Sequence, residues 1–215
     1  MIAAGIGFSV GIMILISLAE LIPASLQTTS LLNVAVAVLL GAGMMGVLHY
    51  ALPHTHLFKE RGIAKANTIR ASYLVAIGLI LHDFPEGFAM ANAFIAAPSL
   101  GVTVAIAIAL HNIPEEFSIA VPAAISKNRS ALVRSAVISG LAEPMGAVIG
   151  LLAIRTNPSL VPLFMAFAAG AMIFVSLHEL MPMARRYGRF YYFLLGMMAS
   201  VVVYTLLGTV LKVEI

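Results

Sequence analysis

Apolar runs long enough to cross about 30 Å of hydrocarbon, which takes about 20 helical residues, recur seven times in this 215-residue sequence. They cover residues 2 to 26, 31 to 52, 68 to 94, 100 to 125, 131 to 154, 159 to 183 and 190 to 211. A backbone in lipid must satisfy its own hydrogen bonds, and only helices and closed barrels do so. Runs of this length therefore predict an all-α fold: a polytopic membrane helix bundle of seven transmembrane helices, multi-pass in the lipid bilayer. The chain is 61% hydrophobic and only 10% charged, whereas a soluble domain is about a quarter charged. The first run lacks a basic leader and carries Glu20 ahead of Ile22-Pro23, so it reads as a mature helix and not a signal peptide. Residues 1 to 215 read as one transmembrane domain with no soluble domain attached and no nucleic-acid partner.

Basic residues set the expected orientation. Lys59, Arg61, Lys65 and Arg70, then Lys127, Arg129 and Arg134, then Arg185, Arg186 and Arg189 fall in three connections that seven spans place on one side; only Arg155 and Lys212 oppose them. The positive-inside rule makes that side cytoplasmic and puts the C-terminus outside. The short, bare loops suit a prokaryotic cytoplasmic membrane.

The chain also repeats itself. Residues 7 to 23 (GFSVGIMILISLAELIP) and 166 to 182 (AFAAGAMIFVSLHELMP) share nine of seventeen positions at an offset of 159. These segments occupy the first and sixth spans, which run in opposite directions. HDFPEGF at 82 to 88 and HNIPEEF at 111 to 117 form a second antiparallel pair, on spans three and four. Inverted repeats of this kind are typical of secondary transporters, with substrate sites near the midplane.

Seven of the nine acidic residues lie within the spans: Glu20, Asp83, Glu86, Glu115, Glu116, Glu143 and Glu179. A carboxylate at the bilayer centre costs on the order of 3 kcal/mol on insertion scales, and no lysine or arginine occupies a span centre to neutralise it. Protons or bound cations must compensate. Helical geometry sets His82 and Glu86 four residues apart on one face with Asp83 flanking, and His111, Asn112 and Glu115 repeat the arrangement. Proline at 85 and 114 removes a backbone hydrogen bond from each helix and offers carbonyl oxygens near residues 81 and 110. Two such half-sites supply about four to six N/O ligands for one or two divalent ions, and Glu143, His178 and Glu179 are further candidates. With no cysteine in the chain, thiolate sites, disulfides and cysteine nucleophiles are excluded. Glu20 either gates a pathway or satisfies helix packing; His54 and His56 either hand off metal or belong to a solvated loop. Gly7, Gly11, Gly170 and the Gly41-Ala42-Gly43 run read as close helix contacts.

HDFPEG, HNIPEE, SGLAEP and the paired SLxELxP segments together resemble the ZIP (Zrt-, Irt-like) family of metal transporters over nearly the whole chain. The resemblance implies a binuclear site, with His82, Glu86, His111 and Glu115 at one metal, and Asp83, Asn112 and Glu143 joining shared Glu86 and Glu115 at the other. It implies His178 and Glu179 on the inner side of the route, transport of zinc, iron, manganese or cadmium toward the cytoplasm, and a homodimer. The family has eight helices, so this chain is expected to lack the first, the repeat partner of span 131 to 154. Asp83 and Glu116 stand where asparagine and glycine are common, adding charge at the edge of the site.

Neutral histidines and ionised carboxylates bind metal, so affinity is expected to fall at acid pH. Two rivals remain: an intramembrane zinc-dependent hydrolase, against which stand the absence of HExxH and the pairing of the sites, and a proton-coupled exchanger that binds no metal.

Overall fold

The structure, a computed structural model, describes residues 2–51, 68–125, 129–187 and 190–211. Among these the chain makes seven helical passes. Helix α1 runs Ile2–Leu26, α2 Leu31–Ala51, α3 Thr68–Ala96 and α4 Pro98–Ile125. The fifth pass is broken at Leu141 into α5 (Arg129–Gly140) and α6 (Ala142–Thr156). Helix α7 runs from Val161–Val175 through Ser176–Leu180 to Met181–Tyr187, and α8 spans Phe190–Leu211. By length and composition five stretches could cross a membrane: Ile2–Leu26, Leu31–Ala51, Ala136–Thr156, Pro158–Arg185 and Phe190–Val210. Helices α3 and α4 are long too, but carry the acidic motifs that the others lack.

The helix ends agree closely with the apolar runs, while the interior irregularities differ from those the prolines suggest. Pro85 sits inside an α3 that continues through it. The departures from α-helix lie elsewhere: at Leu141, and in two π-helical turns, Ile16–Leu21 in α1 and Ser176–Leu180 in α7. Both turns fall on the SLxEL half of the duplicated segment. In each the closing bond spans five residues, from Ile22 N–H to Ser17 O and from Met181 N–H to Ser176 O. Such bulges widen a helix by one residue, re-aim the side chains that follow, and are frequent at functional sites.

Packing repeats along with sequence. Helix α1 lies against α8 and α7 against α2, so each copy of the duplicated segment has its own outer helix. A Cβ on Gly170 would strike the Val38 carbonyl, and one on Gly11 would meet Met197; these two pairs are related by the same offset of 159 as the sequences. Gly7 faces the Phe193 carbonyl and Gly41 that of Phe167 in the same way. Helix association in lipid gains little from burying apolar surface and depends on close backbone approach, which small residues allow. Gly43, by contrast, has open space around it, so only part of the Gly41-Ala42-Gly43 run forms a contact. The duplicated helices form the centre: Met13, Ile16 and Leu21 of α1 and Met165, Met172 and Leu180 of α7 are fully buried. Leu31, Leu32 and Leu39 on α2 and Val210 on α8 face outward.

Valine at 170 must push into the α2 backbone, and overpacking of this kind costs about 1–3 kcal/mol. Gly170→Val should lower the melting temperature of the detergent-solubilised protein and Gly43→Val should leave it nearly unchanged, as read by a fluorescence melt; equal shifts would contradict this packing.

Candidate metal centre

Both motif histidines are fixed in the same way by their own helices. His82 Nδ1 lies 2.8 Å from Gly78 O and His111 Nδ1 2.9 Å from Ala107 O. A carbonyl only accepts, so Nδ1 carries the hydrogen in each ring and donates it four residues back. The tautomer then leaves Nε2, on the far side of the ring, as the nitrogen with an available lone pair. A backbone carbonyl that orients a histidine through Nδ1–H is the usual support for Nε2 as a metal ligand.

His111 Nε2 is 3.1 Å from Glu86 Oε1, and both side chains are completely buried. This contact joins the imidazole of α4 to the carboxylate of α3. Asn112 satisfies its surroundings best with its NH2 turned toward Glu86 Oε2 at 3.1 Å and Ile108 O at 3.3 Å. In the opposite orientation the amide nitrogen is 3.5 Å from Glu143 Oε2. Asn112 therefore stands between Glu86 of α3 and Glu143 of α6.

Two glycines bring Glu143 so near. A Cβ on Gly87 would strike the Glu143 carbonyl, and one on Gly146 would strike the Phe84 carbonyl, so α3 and α6 approach backbone to backbone. The break at Leu141 starts α6 one residue before Glu143, placing this carboxylate in the first turn of α6. On the opposite side, Ser9 of α1 donates its hydroxyl hydrogen to His111 O at 2.9 Å, and Gly5 packs on Pro114.

A second cluster lies toward the Arg185 end of α7. Glu179 Oε1 is 2.5 Å from His49 Nδ1 and its Oε2 is 3.6 Å from His82 Nδ1, so His82 belongs with this second cluster. Glu179 is held there by the π-helical turn. His178 points elsewhere: it is exposed, its ring stacks on Phe174 at 4.4 Å and its centroid lies 6.4 Å from that of His49. Asp83 is buried on α3 beside His82. The side chains of Glu115 and Glu116, and residues 52–67 with His54 and His56, lie outside those described.

The sequence motifs thus converge as one group around Glu86 (His111, Asn112, Glu143) and one around Glu179 (His82, His49). Among the described residues, no three histidine and acidic side chains close into a metal-holding set; the contacts are hydrogen bonds. No sequence motif pointed to His49, although it is the only histidine in the run from 31 to 51. Nor did one point to Tyr204, whose hydroxyl donates to Glu20 Oε1 at 2.6 Å.

Comparison with known proteins places the chain among transporters. The family model described as ZIP Zinc transporter matches residues 54–210. The chain is 37% identical over 229 residues to zinc transporter ZupT of Corynebacterium efficiens, covering 96% of this chain and 85% of that one. It is 41% identical over 203 residues to ZupT of Salmonella paratyphi A, covering 86% and 76%. It is also 38% identical over 161 residues to zinc transporter GufA of Myxococcus xanthus, covering 73% of this chain and 63% of GufA.

The hydrogen bond joining α2 to α7 should register as coupling. Glu179→Ala and His49→Ala should each lower apo-protein stability, and the double variant should cost less than their sum by about 1–3 kcal/mol, the range for buried partners. Strict additivity in denaturant melts would mean the pair contributes nothing jointly.

Proposed function

Because the chain belongs to the ZIP family of zinc transporters, whose members transport divalent metal ions and are not enzymes, we propose that Zn(2+) crosses this protein through a midplane site built on Glu86. This sets aside the hydrolase alternative. The observation that carries the proposal is the His111–Glu86 pair: a completely buried imidazole and carboxylate 3.1 Å apart, with Nε2 aimed at the carboxylate by a backbone bond. A divalent ion enters between them and uses the same two atoms as ligands. His82 and Glu115, which stand in the two motifs where His111 and Glu86 stand in the other copy, complete the first metal. Asp83, Asn112 and Glu143, together with the shared carboxylates, hold the second. Residues 1–215 act as one transport domain.

Transport follows from exchange of partners. An ion arriving from outside sheds water for His82, Glu86, His111 and Glu115. His82 also faces Glu179, so a ligand of the central site is within reach of the inner cluster, where Glu179 and His49 receive the ion, with His178 beside them. Concentrating the basic residues in three connections makes that end cytoplasmic, in a cell membrane, with the C-terminus outside. Shifting one group of helices against the other opens each face in turn. Borderline N/O ligands fit Fe(2+), Mn(2+) and Cd(2+) as well as Zn(2+). That its relatives are named zinc transporters favours zinc. The outward apolar faces of α2 and α8 bed the protein in the lipid bilayer and leave surface for a homodimer.

Radioactive zinc uptake into proteoliposomes tests this reading. Glu86→Ala and Glu115→Ala should each reduce flux by about a hundredfold or more, since loss even of a supporting group typically costs 10–100-fold; flux near the parental level in either variant would sink the central site. Zinc affinity should also fall as pH drops through the range where imidazole takes its second proton, about pH 6.5 for a free histidine. An affinity unchanged between pH 8 and pH 5.5, roughly a unit and more on each side of that value, would exclude histidine ligation.

A further inference from the structure

The duplicated segment carries two carboxylates at matching positions, Glu20 and Glu179, yet the transport reading uses only Glu179. Each sits in a π-helical turn. Each is buried and bonded to the outer helix packed on its own copy: Glu179 to His49 of α2 at 2.5 Å, Glu20 to Tyr204 of α8 at 2.6 Å. Helices α1 and α7 run in opposite directions and touch where the Ser176 hydroxyl meets Met13 sulfur. Counted from that contact at 1.5 Å per residue, Glu20 lies about 10 Å toward one face of the bundle and Glu179 about 5 Å toward the other.

Packing alone is a poor account of Glu20. Its relative exposure is 8%. Among the described residues its one hydrogen-bond partner is a neutral phenol, and no lysine, arginine or histidine among them pairs with it. One neutral donor does not offset the desolvation of a carboxylate that has two oxygens to satisfy. The neighbouring Leu18 is 55% exposed, so the turn borders the outer surface of the bundle.

We infer that Glu20 is a divalent-cation ligand at the mouth opposite Glu179, and that Tyr204 holds it closed. An arriving ion replaces the Tyr204 hydroxyl at Oε1 and is passed inward; the hydroxyl re-forms its bond once the ion has left. Glu179 is backed by imidazole nitrogens and Glu20 by a phenol, so the outer ligand binds more weakly and releases readily. This inference rests on the transport reading above for the direction of flow, but not for binding.

Equilibrium binding of radioactive Zn(2+) to the full chain in detergent separates the two. In a background of Glu86→Ala, His111→Ala and Glu179→Ala, which removes the central site and the inner cluster, the tight component should vanish and a weak component remain. Adding Glu20→Gln should abolish the weak component. Adding Tyr204→Phe should tighten it about two- to tenfold, the equivalent of one competing hydrogen bond. In the otherwise unaltered chain Glu20→Gln should raise the KM for zinc uptake about fivefold or more, a loss of about 1 kcal/mol, while the maximal rate stays within about twofold. A weak component that is absent from the start, or indifferent to both substitutions, overturns the proposal and returns Glu20 to a packing role. Survival of the tight component in that background instead overturns the central and inner sites of the transport reading. Should Glu20→Gln fail to fold, Tyr204→Phe alone decides: binding unchanged from the background refutes the latch.

Discussion

Carboxylates buried among apolar helices are the constraint from which the rest of this structure follows. Glu86, Glu20 and Glu179 sit on apolar helices, where they meet imidazole, amide and hydroxyl groups. Such partners moderate the cost of burial without cancelling the charge. A site left in that condition favours any small cation able to reach it, and the surrounding helices must be close enough to prevent water from doing the same work. The glycine contacts between α3 and α6, and between each central helix and its outer companion, supply that closeness.

The two histidine motifs show how one local pattern gains two uses. In both, the imidazole is tethered through Nδ1 to the carbonyl four residues earlier, so ring orientation is set within a single helix before any tertiary contact forms. Tertiary packing then decides what the ring meets: Glu86 for His111, the neighbourhood of Glu179 for His82. The motifs differ at their last position, Gly87 against Glu116. Only the glycine copy could admit the α6 backbone, which explains why Glu143 reaches the pair from the α3 side.

Much of the fold was legible in the sequence because hydrocarbon thickness imposes length and because an α-helix needs nothing beyond itself for its hydrogen bonds. The ends of α1, α2 and α8 could be read from the apolar runs almost residue by residue. The pairing of His111 with Glu86 was legible from the twin motifs, and the duplication announced the symmetric packing. What escaped were features that local pattern does not encode. A π-helical turn has no composition of its own; Ile16–Leu21 looks like ordinary helix until the five-residue closure is seen. Prolines drew attention to residues 81 and 110, whereas α3 continues through Pro85 and the clear break lies at Leu141. His49 and Tyr204 escaped for another reason: the importance of each comes from a carboxylate more than a hundred residues away.

The paired π-helical turns also say something about ancestry. A π turn is an α-helix with one residue too many, and removing that residue would rotate everything after it by about 100 degrees. Two copies carry the surplus residue at the same register, in helices that now point in opposite directions. Inheriting it once is simpler than acquiring it twice. On that view the insertion preceded the duplication, and the ancestral half-molecule already had a helix bent to present an acid.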